Sequence, residues 1–103
     1  MATTETVASA GAVLDVLDLL FRADYSVGLT PGDVRRELGL SGSAVTRYLA
    51  TLDDRGAIER ISGTDRVRPS IRWAQRAAGI LRSLDDAERR AAELAKRITT
   101  PAS

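Results

Sequence analysis

The sequence contains neither cysteine nor histidine. Disulfides and thiolate metal sites are therefore excluded, and the commonest zinc ligand and general base is missing. Aromatic residues make up only 4% of the chain, which favours a helix-rich domain with aliphatic packing. No segment approaches the roughly 20 apolar residues of a membrane span, and the N-terminus lacks a signal-peptide pattern. We therefore expect a cytoplasmic protein with no cofactor, metal or membrane partner. We expect no enzyme either, because no set of base, nucleophile or metal ligands stands out.

The net charge of +1 is too small to indicate nucleic-acid binding by itself, but its distribution along the chain is informative. Residues 1–30 carry one arginine and four acids, whereas residues 31–76 carry nine arginines and six acids. The positive excess therefore lies in the middle of the chain. That excess is modest and well short of the charge of a histone-like polycation.

Helical patterns occupy the first half of the sequence. A first helix is predicted from about residue 10 to 23, with Ser9 as its cap. Its helically spaced apolar residues are Ala10, Val13, Leu14, Leu17, Leu20 and Phe21. A second helix is predicted from Pro31 to Leu38, because Thr30 fits the N-cap and Asp33 fits the capping-box position. Gly39 can take the left-handed conformation that ends it.

A third helix and a hairpin follow the turn at Gly39. Ser41 is expected to cap a helix over about 42–55, with one apolar stripe directed inward. Residues 57–61 and 66–69 alternate as strands do, and the polar turn 62–65 joins them. Two short helices followed by a hairpin outline a winged helix-turn-helix.

A heptad pattern dominates the C-terminal part. Apolar residues recur at alternating spacings of four and three, a pattern typical of a helix that pairs with another helix. They are Trp73, Ala77, Ile80, Leu84, Ala87, Ala91, Leu94 and Ile98. One helix over about 71–98, capped by Ser70, would carry them all. Gly79 and the capped start at Ser83 leave two abutting helices as an alternative. The apolar seam could cover its own domain or pair with a second copy. We favour a homodimer, because a chain of 103 residues has little core for so long a seam.

These patterns together predict a mainly α fold with a small β-hairpin, a winged helix-turn-helix followed by a C-terminal helix or helix pair. We expect a disordered N-terminus over 1–8 and the winged domain over 9–69. A dimerisation helix over 70–98 and a disordered tail over 99–103 complete the chain. The expected dimer contacts are Ile80, Leu84, Ala87, Ala91, Leu94 and Ile98.

The candidate DNA-binding residues lie on the helix-turn-helix and the hairpin. The first turns of a recognition helix reach the floor of the major groove, and the preceding helix crosses the DNA backbone. The hairpin can contact flanking phosphates or the minor groove. The candidates are Ser41, Ser43, Ala44, Thr46 and Arg47 on the third helix, Arg35 and Arg36 on the second, and Arg60, Arg66 and Arg68 on the hairpin. Arg35 could equally pair with a nearby acid, and short polar residues on a helix often only face solvent.

From Leu14 to Arg68 the chain resembles the DNA-binding domain of IclR-type transcriptional regulators. The resemblance rests on Leu29-Thr30, on the turn from Leu38 to Ser41, and on the runs 43–52 and 55–60. It implies groove reading by Ser43, Ala44, Thr46 and Arg47, together with contacts from the wing. IclR-type regulators also carry a large effector-binding domain after the wing. This chain has no room for one, so we expect no small-molecule effector.

Two classes of function follow from these patterns. The first is a dimeric, sequence-specific regulator that binds double-stranded DNA. The second is a winged helix that serves as a protein-interaction or adaptor module. The low net charge and the single arginine early in the third helix keep the second alternative open.

Overall fold

The computed structural model describes residues 4–101. Its elements are α1 (Ala8–Arg22), α2 (Pro31–Leu38), α3 (Gly42–Asp54), β1 (Ile58–Arg60), β2 (Val67–Pro69) and α4 (Ile71–Thr99). The mainly helical fold with a two-stranded antiparallel hairpin confirms the expected class. Residues 1–3 and 102–103, which belong to the predicted disordered ends, lie outside the described residues.

Helix α1 packs differently from its predicted stripe. It begins at Ala8, and no side chain caps it, so the predicted cap by Ser9 is wrong. Val16 and Leu19 are buried in the core, whereas Leu14 is 64% exposed and Phe21 is 42% exposed. The helix carries apolar residues around more than half of its circumference. Periodicity alone therefore could not decide which of them face α2, α3 and the hairpin.

Helices α2 and α3 begin and end where the local signals predict. The Thr30 hydroxyl accepts from the Asp33 amide at 3.0 Å, and the Asp33 carboxylate accepts from the Thr30 amide at 3.0 Å. These reciprocal bonds form the predicted capping box. Gly39 ends α2 with a φ of 64°. The Ser41 hydroxyl then accepts from the Ala44 amide at 3.1 Å and so caps α3.

The hairpin is tied to the loop between α1 and α2. Its ladder pairs Ile58 with Pro69 and Arg60 with Val67. Val67 also forms a bridge with Leu29, with backbone bonds of 2.8 and 3.0 Å, so Leu29 acts as a third, one-residue strand. Gly28, just before it, has a φ of +67°, and a Cβ there would lie 2.6 Å from the Val67 carbonyl oxygen. The sequence patterns did not predict this close approach.

The C-terminal region forms one helix, α4, so the alternative of two abutting helices is not the one observed. The Ser70 hydroxyl accepts from the Trp73 amide at 3.4 Å, as expected of the cap. Chain contacts divide the molecule into two units between Trp73 and Ala74. Trp73 packs against the core of the first unit. Thr99, predicted to lie in the tail, is the last residue of α4.

Candidate nucleic-acid interface

The first two turns of α3 present a small exposed surface. Ser43, Thr46 and Arg47 are all exposed, as expected. The Ser41 hydroxyl, which caps the helix, lies 3.3 Å from that of Ser43. The Thr46 hydroxyl donates to the Gly42 carbonyl oxygen at 3.0 Å. Because this bond uses the hydroxyl proton, Thr46 can only accept a hydrogen bond from outside the helix.

Arg47 is the only basic residue within α3. Its guanidinium lies 5.9 Å from the centre of the Tyr48 ring, and it forms no ion pair with any residue in the described range 4–101. The charge therefore stays available for a phosphate or for the edge of a guanine.

Ala44 does not join this exposed surface. It is only 9% exposed and faces the interior beside Val45. This burial disfavours the expected contact of its methyl group with DNA, and the role of Ala44 stays a prediction. Three consecutive residues of a helix span about 200° of its circumference, so the group from Ser43 to Val45 cannot share one face.

The two arginines of α2 differ in their partners. Arg36 pairs with the Asp33 carboxylate within the same helix. Arg35 is exposed and forms no ion pair within the described residues. Its Nη1 lies 4.0 Å from the position that a Cβ on Gly42 would occupy. Arg35 therefore adds positive charge beside the N-terminus of α3, whose free amides also attract anions.

A groove lies between α3 and the hairpin, with a volume of about 600 Å³. Thr46 and Ala50 line it from α3, and Arg60 lines it from β1. The side chain of Arg60 is exposed and takes no ion pair or hydrogen bond from residues 4–101. Asp53 and Glu59 also line the groove, so Arg60 supplies the positive charge of a lining that contains two acidic residues.

The other two hairpin arginines bond to the loop between α1 and α2. Arg66, which precedes β2, donates to the Gly28 carbonyl oxygen at 3.4 Å. Arg68 donates to the Glu59 carboxylate at 3.3 Å and to the Tyr25 carbonyl oxygen at 3.4 Å. Its guanidinium also stacks over the Tyr25 ring at 4.8 Å. Both arginines share one side of the hairpin, as predicted, and both donate to the loop between α1 and α2.

The first turn of α4 is bonded to both the hairpin and α3. The Ile71 amide donates to the Glu59 carboxylate at 2.7 Å. Arg72 donates to the carbonyl oxygens of Arg55 and Gly56 at 2.9 and 3.3 Å, where its charge also meets the negative end of the α3 dipole. Sequence patterns gave no signal for these contacts, because their partners lie 12–17 residues apart.

A helix-turn-helix with an exposed second helix, followed by a hairpin that lies beside it, is the arrangement of a DNA-binding winged helix. Comparison with known families matches residues 10–66 to the family model described as the MarR family. The chain belongs to the MarR family. No curated protein and no solved structure matches it.

Membership of the MarR family sharpens the earlier resemblance. The winged helix-turn-helix class is confirmed, but the IclR subtype is not. The family consists of transcription regulators, so the domain is of a DNA-binding, regulatory kind and its partner class is double-stranded DNA.

Two other kinds of site are absent from the described residues 4–101. Over residues 4–101, no helix combines the length and the hydropathy needed to cross a membrane. Within the same range, no three acidic or other ligating side chains cluster where they could hold a metal ion.

Proposed function

We propose that the protein is a sequence-specific, homodimeric, cytoplasmic transcriptional regulator. The first two turns of α3 read the major groove, and Arg60 contacts the flanking DNA. One observation carries this proposal. Ser43, Thr46 and Arg47 are exposed together, and Thr46 shares one groove with Arg60.

We propose different roles for the candidate residues. Arg47 and Ser43 reach base edges or phosphates, and Thr46 accepts a hydrogen bond from an adenine or cytosine amino group. Arg35, Arg60 and the N-terminus of α3 hold the phosphate backbone. Ser41 and Arg36 act mainly through the helix caps that they support. Arg66 and Arg68 position the hairpin, because both donate to the loop that carries Tyr25 and Gly28.

Dimerisation is proposed for the exposed seam of α4. The large apolar side chains of this seam are more than half exposed: Ile80 is 64%, Leu84 62%, Leu94 55% and Ile98 75% exposed. Ala87 and Ala91 lie between them at heptad spacing. A second copy would cover this surface and would bring a second recognition helix to a neighbouring half-site.

The second candidate is a protein-interaction module without DNA specificity. It is favoured by Asp53 and Glu59, the acidic residues that line the groove. It is also favoured by the small number of candidate arginines that form no ion pair within residues 4–101, namely Arg35, Arg47 and Arg60. Titration with genomic DNA fragments at several salt concentrations separates the two candidates. A regulator binds selected fragments tightly, and its affinity falls steeply as salt rises. Absence of binding even at low salt would overturn the DNA-binding proposal.

A substitution at Arg47 tests how the recognition helix reads DNA. If Arg47 contacts a base, Arg47→Ala should relax preference at one operator position, by about 1–3 kcal/mol of discrimination. If it contacts phosphate, all sequences should weaken alike. Arg55→Ala removes the same charge at the far end of α3 and serves as the control. Selection from a random DNA library measures both variants. Unchanged preference and affinity for Arg47→Ala would contradict the assigned face of α3.

A further inference from the structure

The apolar seam of α4 alternates large and small residues in an order that favours one orientation of pairing. From Ala77 to Leu94 the seam reads Ala77, Ile80, Leu84, Ala87, Ala91 and Leu94. All of these residues except the alanines have large side chains. When this series is aligned with the same series in reverse order, each alanine lies opposite a large residue.

We propose that α4 pairs with α4 of a second copy in an antiparallel orientation, with the two-fold axis between Leu84 and Ala87. This inference rests on the dimerisation part of the proposed function and specifies its geometry. In this register Leu84 faces Ala87, Ile80 faces Ala91, and Ala77 faces Leu94 of the second copy. From Ala77 to Leu94, every layer then joins one large and one small side chain, the arrangement that fills the space between two helices evenly.

Parallel pairing of the same seam packs less evenly. Each residue then faces its own copy, so that Ala87 and Ala91 form two successive layers without a large side chain. Such layers leave unfilled space, while the Ile80 and Leu84 layers bring bulky side chains together. Leu81 flanks the seam and is 68% exposed. In the antiparallel dimer it would lie beside Glu88 of the second copy and would bury further apolar area there.

The charges beside the seam are compatible with the antiparallel register. Arg90 faces Ser83 of the second copy, whose hydroxyl can accept a hydrogen bond. Arg76 faces Arg97 of the second copy near the end of the helix. Glu93 lies four residues before Arg97, a spacing at which opposite charges attract along a helix. The like-charge pair of Arg76 and Arg97 is exposed to solvent, so its repulsion is weaker than the attraction that the packed layers provide.

The absence of cysteine allows a direct measurement of the orientation, because one introduced cysteine is the only attachment point for a spin label. Gln75 and Arg82 are exposed and lie on the side of α4 away from the seam. In the antiparallel dimer, the two copies of residue 75 are offset by about 30 Å along the axis, and those of residue 82 by about 10 Å. In a parallel dimer neither pair is offset.

The experiment compares full-length Gln75→Cys and Arg82→Cys, each confirmed as a dimer by sedimentation equilibrium. The interlabel distance for Gln75→Cys is expected to exceed that for Arg82→Cys by more than about 10 Å. Equal distances would overturn the antiparallel orientation while leaving dimerisation intact. A monomer at every concentration would overturn both the orientation and the dimer. DNA titration of the same variants reports separately on DNA binding.

Disulfide formation provides an independent measurement. Ala77→Cys combined with Leu94→Cys should form a covalent dimer under mild oxidation, because these positions face each other in the antiparallel register. Ala77→Cys alone should remain uncrosslinked. The reverse result, a crosslink through Ala77→Cys alone, would indicate parallel helices and overturn the proposal.

Discussion

The two sides of the hairpin use arginine in opposite ways. On the groove side, Arg60 lies beside α3, and its side chain has no ion pair or hydrogen bond with the described residues 4–101. On the support side, Arg66 and Arg68 donate to the loop between α1 and α2, and Arg68 also bonds to Glu59. Both sides look alike in sequence. The comparison teaches that the number of arginines in a wing overstates the charge that it offers to DNA.

The largest effect on stability is expected from a substitution at Gly28, on the support side of the hairpin. Gly28→Ala should lower the free energy of unfolding by about 3 kcal/mol, because it adds an overlap with the Val67 carbonyl to an unfavourable φ. Gly63 also has a positive φ, of +78°, but nothing lies within 4 Å of an added Cβ. Gly63→Ala should therefore cost only about 1 kcal/mol. Urea denaturation of both variants measures the difference, and equal losses would show that the close approach to Val67 is unimportant.

Exchanging each arginine for methionine tests the two sides directly. Arg68→Met should lower the free energy of unfolding by about 1–2 kcal/mol, because it removes bonds to a half-buried carboxylate and to a carbonyl oxygen. Arg60→Met should change stability by less than about 0.5 kcal/mol. It should instead reduce the salt dependence of DNA affinity by about one unit of slope.

These two methionine variants are measured by thermal unfolding and by DNA titration below the unfolding temperature. The comparison would fail if Arg68→Met reduced the salt slope as much as Arg60→Met while leaving stability unchanged. In that case the wing would use Arg68, rather than Arg60, to reach phosphate.

The smallest expected effect concerns the capping box of α2, which lies apart from both sides of the hairpin. Hydrogen bonding with the backbone and the side chain of Thr30, and then the hydrogen bond and the charge of Arg36, lower the pKa of Asp33. A lowered pKa in the fold means that the stabilisation is present above the ordinary pKa and is lost as pH falls through the lowered value.

Asp33→Asn should therefore reduce stability at neutral pH and flatten its decline at acidic pH. Glu37→Gln on the same helix is the matched control, since Glu37 is exposed and forms no ion pair within residues 4–101. Denaturation between pH 7 and pH 2 measures both variants. An identical pH profile for Asp33→Asn and the unmodified protein would show that the capping carboxylate contributes nothing to stability.

The sequence predicted best where the structure depends on neighbouring residues. The Thr30–Asp33 capping box, the left-handed Gly39 and the Ser41 cap are all set within a few residues, and all are confirmed. The winged helix class follows from the order of these elements.

Contacts between distant segments were not predictable in the same way. The exposure of Leu14 depends on which side of α1 meets the rest of the core. The bonds of Arg68 to Tyr25 join residues that are 43 positions apart. No local pattern distinguishes an arginine that bonds within the domain from one that is available to bind DNA. The sequence could therefore predict which elements form the candidate site, but not which of their arginines contact DNA. The DNA-facing role of each residue stays a prediction.

The hairpin turn has a practical consequence for engineering. The backbone bonds that join the wing to Leu29 and its two strands to each other lie outside the turn of residues 62–65, within which the Thr64 amide donates to the Ile61 carbonyl oxygen at 3.1 Å. The turn itself is exposed, and an added Cβ on Gly63 meets nothing. This tip is therefore the position at which extra residues, such as an epitope or a fluorophore-binding tag, can be inserted without changing the register of the strands.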